Sequence, residues 1–356
     1  MMTIKERANQ FCDAYSLDVP ILMAPMAGAC PVDLAAAVAR GGGMGACGAL
    51  MMDPQAISQW ARELRSKTNG SFQMNLWIPD PAPKRDALAE AAVRAFLANW
   101  GPDVPKEAAD VSTPDFNAQC EALLAAGPTV ISSIMGLYPP AFVEQMKEQG
   151  IRWFATVTTV EEAMAAEAAG ADVIVAQGAE AGGHRGAFNA DDAIYKAVGL
   201  FSLLPAVVDS VNIPVVATGG IADARGIAAA FSLGASAVQM GTGFLLTPEA
   251  SLNSAWADGL QNAKPEDTCV TRAFSGRAGR SLASGYVKAM NDASAPQPAP
   301  YPIQRNLTAA MRASAAAEND VNTMQTWAGQ SAGLASTEQA SDLTRRLWDE
   351  AQRLIV

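Results

Sequence analysis

This chain has no long apolar run. None of its 356 residues lie in a stretch long enough to span a bilayer, and the start, MMTIKERANQFCDAY, is charged where a signal peptide needs unbroken apolar residues. A membrane partner is thereby excluded, and the expected location is the cytoplasm. Clustered positive charge is also missing: 25 Lys and Arg face 36 Asp and Glu, for a formal net charge of −11. A nucleic-acid partner is excluded on this count, because phosphate backbones are held by clustered basic side chains. Cysteine is sparse. Cys12, Cys30, Cys47, Cys120 and Cys269 are odd in number, widely spaced and never in a Cys-x-x-Cys pair, which indicates neither a disulfide framework nor a zinc site. They read as small buried or half-buried groups, and no metal is expected. Scarcest of all is histidine, with His184 alone.

Apolar residues make up 50% of the chain, ample for a well-filled core. Eight short runs rich in Val, Ile, Met and Ala recur along it: residues 20–28, 44–50, 72–78, 129–136, 152–158, 172–178, 214–220 and 237–243. Most lack polar alternation, as strands covered on both faces do. Between them lie Ala-rich amphipathic segments such as TVEEAMAAEAAG (159–170) and DARGIAAAFSLG (223–234), each ending in a glycine suited to a C-terminal cap. The predicted fold is therefore a TIM (β/α)8 barrel, with a doubly wound open sheet as the alternative. Two stretches break the repeat, 79–112 and 246–315. They are expected to form a smaller, mainly helical second domain covering the barrel mouth, leaving 1–78, 113–245 and 316–356 as the barrel. The Pro-rich run SAPQPAPYP (294–302) reads equally as a surface linker or as part of a lid.

GMGACG (43–48) satisfies G-x-G-x-x-G, but it follows a helical pattern and enters a strand, the reverse of a dinucleotide fingerprint. TGG (218–220) and MGTG (240–243) differ, since both end the last two strands, where barrel loops commonly form a phosphate site. Gly219, Gly220 and Gly241 permit close backbone approach there, and Thr242 adds a hydroxyl. The loop AQGAEAGGHRG after strand six lies on the same face. Its Gln177 could read an imide edge, its Gly182 and Gly183 allow a flat ligand close approach, and His184 lies at the barrel mouth. A histidine in that position is expected to serve the site, whereas Arg185, pointing the other way, is expected to make a surface salt bridge. Pro25, Met26, Ala27 and Asn75 complete a pocket with an apolar floor, amide groups and a phosphate end, the shape and polarity of FMN.

The stretches APMAG (24–28), MNLW (74–77), 158–188 containing AQGAEAGGHRGAF, 214–249 and TWAGQ (326–330) resemble the class I nitronate monooxygenases, formerly 2-nitropropane dioxygenases. The resemblance implies a barrel holding FMN without a covalent link, with contacts at Asn75, Gln177, Gly182, Gly220, Gln239, Met240, Gly241 and Thr242. Pro25, Met26 and Ala27 would lie against the flavin ring and His184 would be the catalytic histidine. Two segments depart from the family pattern, SSIMGLYPP (132–140) and YPIQRN (301–306).

The implied reaction is oxidation of alkyl nitronates, with propionate 3-nitronate expected, by O2 to a carbonyl compound and nitrite through a flavin semiquinone; its role would be detoxification. His184 could act as an imidazolium that orients the anion or as a neutral base, and the first is expected to matter more. Two alternatives remain: an FMN-dependent NAD(P)H reductase of quinones or enoyl thioesters, and a phosphate-binding barrel without turnover. Oligomeric state, a homodimer included, stays open.

Overall fold

The computed structural model describes residues 2–110 and 112–355; Met1, Val111 and Val356, which the expected domain ranges include, lie outside the described residues. Each of the eight apolar runs contains a strand. In chain order they are Ile21–Met23, Gly45–Gly48, Phe72–Trp77, Val130–Ile134, Arg152–Val157, Val173–Gln177, Val215–Thr218 and Ala237–Met240. All neighbours pair in parallel, the last strand returns to the first (Leu22 opposite Gln239), and a bridge between Leu22 and Met44 closes the ring. Strand six shows why these segments choose this fold. All five of its residues are buried, so β-branched packing on both faces outweighs any helical preference.

The helices between strands start and stop as their chemistry dictates. Thr159 and Asp223 cap Val160–Ala168 and Ala224–Ser232 by accepting from the amides of Glu162 and Gly226, and Gly170 and Gly234 follow at positive φ. Of the GMGACG glycines, Gly43 lies between helix Val32–Arg40 and strand two, and Gly45 and Gly48 are the ends of that strand, so the motif follows a helix and enters a strand as its order required. Helix Ile4–Tyr15 closes the opposite end of the barrel. Its Phe11 and Tyr15 pack on Phe154 of strand five at 6.2 and 4.9 Å between ring centroids, over the first residues of several strands. Four cysteines are buried, Cys269 is half-buried, and all five are free.

A separate apolar cluster lies above the mouth. Val93, Leu97 and Ala109 from one off-pattern stretch meet Phe274, Tyr286, Val287, Ile303 and Leu307 from the other. The Pro-rich run is part of this cap rather than a solvent linker, for Ala299 is buried and Tyr301 packs on Trp77 at 5.2 Å. One element has no counterpart in the sequence reading. Thr268–Thr271, Gly279–Leu282 and Gly183–His184 form a three-stranded antiparallel sheet, with His184 opposite Gly279, so the loop after strand six is built into the cap.

Candidate active site

A cavity of about 540 Å3 opens at the C-terminal ends of the barrel strands. Its wall gathers Pro25, Met26 and Ala27 after strand one, Asn75 on strand three, Gln177 at the end of strand six with Gly182, Gly183 and His184 beyond it, Gly219 and Gly220 after strand seven, and Gln239 on strand eight with Gly241 and Thr242 after it. Of the expected contacts only Met240 is not in the wall; it is the last residue of its strand, and its side chain is buried in the barrel core. Side chains alternate along a strand, which turns Gln239 toward the cavity and Met240 away.

At one end the geometry suits an anion. Gly219 and Gly220 hold φ of +110° and +71°, a turn that residues with side chains rarely make. The amides of Gly219, Gly220, Gly241 and Thr242 donate to no carbonyl among the described residues. The Thr242 hydroxyl accepts from the Gly329 amide at 3.0 Å, and Ser331 donates to the Gly220 carbonyl at 2.6 Å, so segment 326–331 braces both loops. Gly182 lies beneath that segment: a Cβ there would sit 2.5 Å from the Gly329 nitrogen.

The amides named from the sequence are partly committed to the protein. Gln177 donates to the His184 carbonyl at 3.1 Å and accepts from the Gly186 amide at 2.8 Å, holding its own loop rather than presenting both ends to a ligand. Asn75 donates to Ser132 at 3.0 Å, and Gln239 accepts from Gln73 at 3.0 Å.

Arg185 corrects an expectation. It is 1% exposed and makes no salt bridge among the described residues; its guanidinium donates to the carbonyls of Gly178 at 2.5 Å and Gln177 at 3.3 Å. The loop curls back over the end of strand six, so the side chain that alternation points away from the ligand points into protein.

His184 lies between two tryptophans, Trp77 at 4.5 Å and Trp327 at 4.6 Å, both tilted steeply to its ring. Its Nε2 is 2.7 Å from the Ser275 hydroxyl, which is 3.2 Å from the Arg277 carbonyl. A carbonyl can only accept, so the hydroxyl proton goes to it and the imidazole donates through Nε2. Nδ1 is then the unprotonated nitrogen. Burial, reinforced by Arg277, Arg305 and Arg312, pushes the His184 pKa down to about 3. In the ligand-free protein this shift favours the neutral ring at neutral pH, against the expectation that its imidazolium form matters more.

Positive charge comes instead from Arg305 and Arg312, both in the cavity wall and neither singled out from the sequence. Arg305 lies in YPIQRN, one of the two segments that depart from the family pattern; the other contributes only Ile134. The arginines' spacing, two helical turns apart, was the available signal. Trp77, Trp256, Gln325 and Trp327 were also missed as site residues.

A profile of the nitronate monooxygenase family matches residues 10–350. A nitronate monooxygenase of Paraburkholderia phytofirmans is 37% identical over 99% of this chain and 98% of its own. A probable nitronate monooxygenase of Staphylococcus aureus is 34% identical over 98% of each. Among solved structures, nitroalkane oxidase from Streptomyces ansochromogenes superposes with a TM-score of 0.87 at 33% identity, over 98% of this chain and 100% of that one. FabK from Thermotoga maritima gives 0.75 at 29%, over 97% and 96%. With one barrel, one mouth cavity and matches along nearly its whole length, the chain belongs to the nitronate monooxygenase family, flavin-dependent oxidoreductases that act on nitro compounds.

Proposed function

We propose that this protein oxidises alkyl nitronates, propionate 3-nitronate among them, with O2 to a carbonyl compound and nitrite, using FMN held without a covalent bond. The observation that carries this reading is a single cavity joining an anion-binding end to the chain's one histidine. The residues present fit FMN. The volume falls in the range of cofactor sites, roughly 300–1,000 Å3. Four backbone amides at strands seven and eight await an acceptor, and the buried Nε1 of Trp256, on the same wall, is an unpartnered donor. Gly219, Gly220, Gly241 and Thr242 would hold the phosphate. Pro25, Met26 and Ala27 would back the ring, with Asn75, Gln177, Gly182, Gly183 and Gln239 around it and Met240 supporting from behind.

FMN supplies the electron acceptor of the reaction. The chain's own residues hold and orient the substrate. Arg305 and Arg312 attract an anionic nitronate into the cavity. Trp77 and Trp327 wall off water around the reacting carbon and fix the imidazole plane. When a neutral nitroalkane binds, Nδ1 of His184 takes the α-proton, while Ser275 keeps Nε2 protonated. Residues 79–112 and 246–315 act as the substrate-covering domain, and the role is detoxification of nitronates in the cytoplasm.

The test is the visible spectrum of FMN-loaded protein before and after anaerobic addition of ethyl nitronate, followed by air. A nitronate-dependent spectral change that air reverses, with nitrite released, is the expected result. A spectrum indifferent to nitronate but bleached by NADH would instead identify a reductase. Failure to take up FMN would leave a phosphate-binding barrel.

A further inference from the structure

Strand three turns Gln73, Asn75 and Trp77 to the inside of the barrel, because alternate residues of a strand share a face. Asn75 and Trp77 line the cavity, whereas Gln73 lies deeper and is fully buried. An amide in a packed interior is costly unless its polar atoms find partners. Gln73 uses one end only. Its Nε2 donates to the Met23 carbonyl and to Oε1 of Gln239, both at 3.0 Å, while its own Oε1 has no partner. A buried acceptor left unpaired calls for an account of what the rest of the side chain does.

The two bonds at Nε2 fix two orientations in turn. The Met23 carbonyl accepts only, so the atom of Gln73 that faces it is the nitrogen. That nitrogen has one hydrogen for Met23 and one for Gln239, so the atom of Gln239 that faces it is the oxygen. Nε2 of Gln239 is thereby turned the other way. It makes no hydrogen bond among the described residues and, in the cavity wall, presents its N–H groups to the cavity. The Thr218 hydroxyl, donating to the Gln239 carbonyl at 2.8 Å, holds the backbone as well.

Asn75 is set the opposite way. Its Nδ2 donates to Ser132, which leaves Oδ1 as an acceptor on the same wall. One donor and one acceptor match an imide edge, where a carbonyl stands beside an N–H, as in the ring of FMN. With Gln239 reversed, two acceptors would face that edge.

We propose that Gln73, which itself lies outside the cavity, is a positioning residue: it holds the Gln239 amide with Nε2 toward the cavity and so makes that wall position a donor to a carbonyl of the flavin ring. The proposal rests on the FMN reading above.

The experiment is a double-mutant cycle on the FMN dissociation constant of the full chain, in wild type, Gln73→Glu, Gln239→Leu and the double variant. Glutamate has the shape of glutamine, but its carboxyl group brings one hydrogen at most where the amide brings two. Met23 and the Gln239 oxygen cannot then both be served, and Gln239 turns its nitrogen inward. Gln73→Glu is expected to weaken FMN binding about tenfold, the size of one hydrogen bond exchanged for a mismatch. Gln239→Leu weakens it by a similar factor, and the double variant no more than either alone. Losses that multiply, or an affinity of Gln73→Glu within about twofold of wild type, would overturn the proposal. Should Gln73→Glu fail to fold, Gln73→Leu takes its place in the cycle and the same two conditions decide. Side-chain amide hydrogen exchange in the ligand-free protein separates this proposal from the FMN reading. The Gln239 NH2 is expected to exchange freely and the Gln73 NH2 to be protected; a protected Gln239 NH2 overturns the proposal whether or not FMN binds. If wild type takes up no FMN and this exchange pattern is found, the Gln73–Gln239 arrangement stands and the FMN reading fails.

Discussion

A neutral histidine beside two arginines divides labour that one imidazolium would otherwise have to combine. On the proposed reading the arginines carry the charge, and the imidazole keeps a lone pair for proton transfer. Because His184 is the only histidine, its NMR signal assigns itself. In the ligand-free protein that signal is expected to stay constant from pH 8 to 5, reflecting a pKa near 3; a midpoint near the ordinary value of about 6.5 would refute the neutral assignment. The sign for stability follows. The unfolded chain takes up this proton near pH 6.5 and the folded one resists, so stability is lost as pH falls from about 6.5 toward 3. Arg185→Met should cost about 2 kcal/mol in denaturant unfolding, because it strips a charged donor from two carbonyls. The place of His184 at the barrel mouth was legible from its glycine-rich loop. Its charge state was not, because that depends on Ser275, Arg277, Arg305 and Arg312, all about ninety residues or more away.

Among elements, the eight strands were legible because each lies in a short, mostly apolar run that is largely buried, a pattern carried within a few residues. The strand Gly183–His184 carries no such pattern. Two residues cannot display a period, and their partner Gly279–Leu282 is distant in sequence. The tight crossing of Gly182 under segment 326–331 was likewise invisible locally. Gly182→Ala is expected to push a methyl into the backbone of Gly329 and Ala328 and cost about 1–3 kcal/mol. FMN retention on gel filtration should fall with it, since Thr242 and Gly220 are braced by the displaced segment; undiminished retention would show that the brace is dispensable.

On the scale of the molecule, closure and chemistry occupy opposite ends of the barrel. Helix Ile4–Tyr15 seals the end remote from the cavity with Phe11 and Tyr15 on Phe154. Phe11→Ala is expected to cost about 3–5 kcal/mol in chemical unfolding, while kcat/KM measured well below the new unfolding midpoint changes less than twofold. A large activity loss under native conditions would mean that the two ends communicate.

The ladder between Gly183–His184 and Gly279–Leu282 has a further consequence. The histidine's own backbone is a strand of the cap's sheet, so a cap that swung clear would draw the imidazole out with it. On the proposed reading, the base and the cover over the cavity are therefore one structural unit, and proton abstraction is expected only with the cap in place.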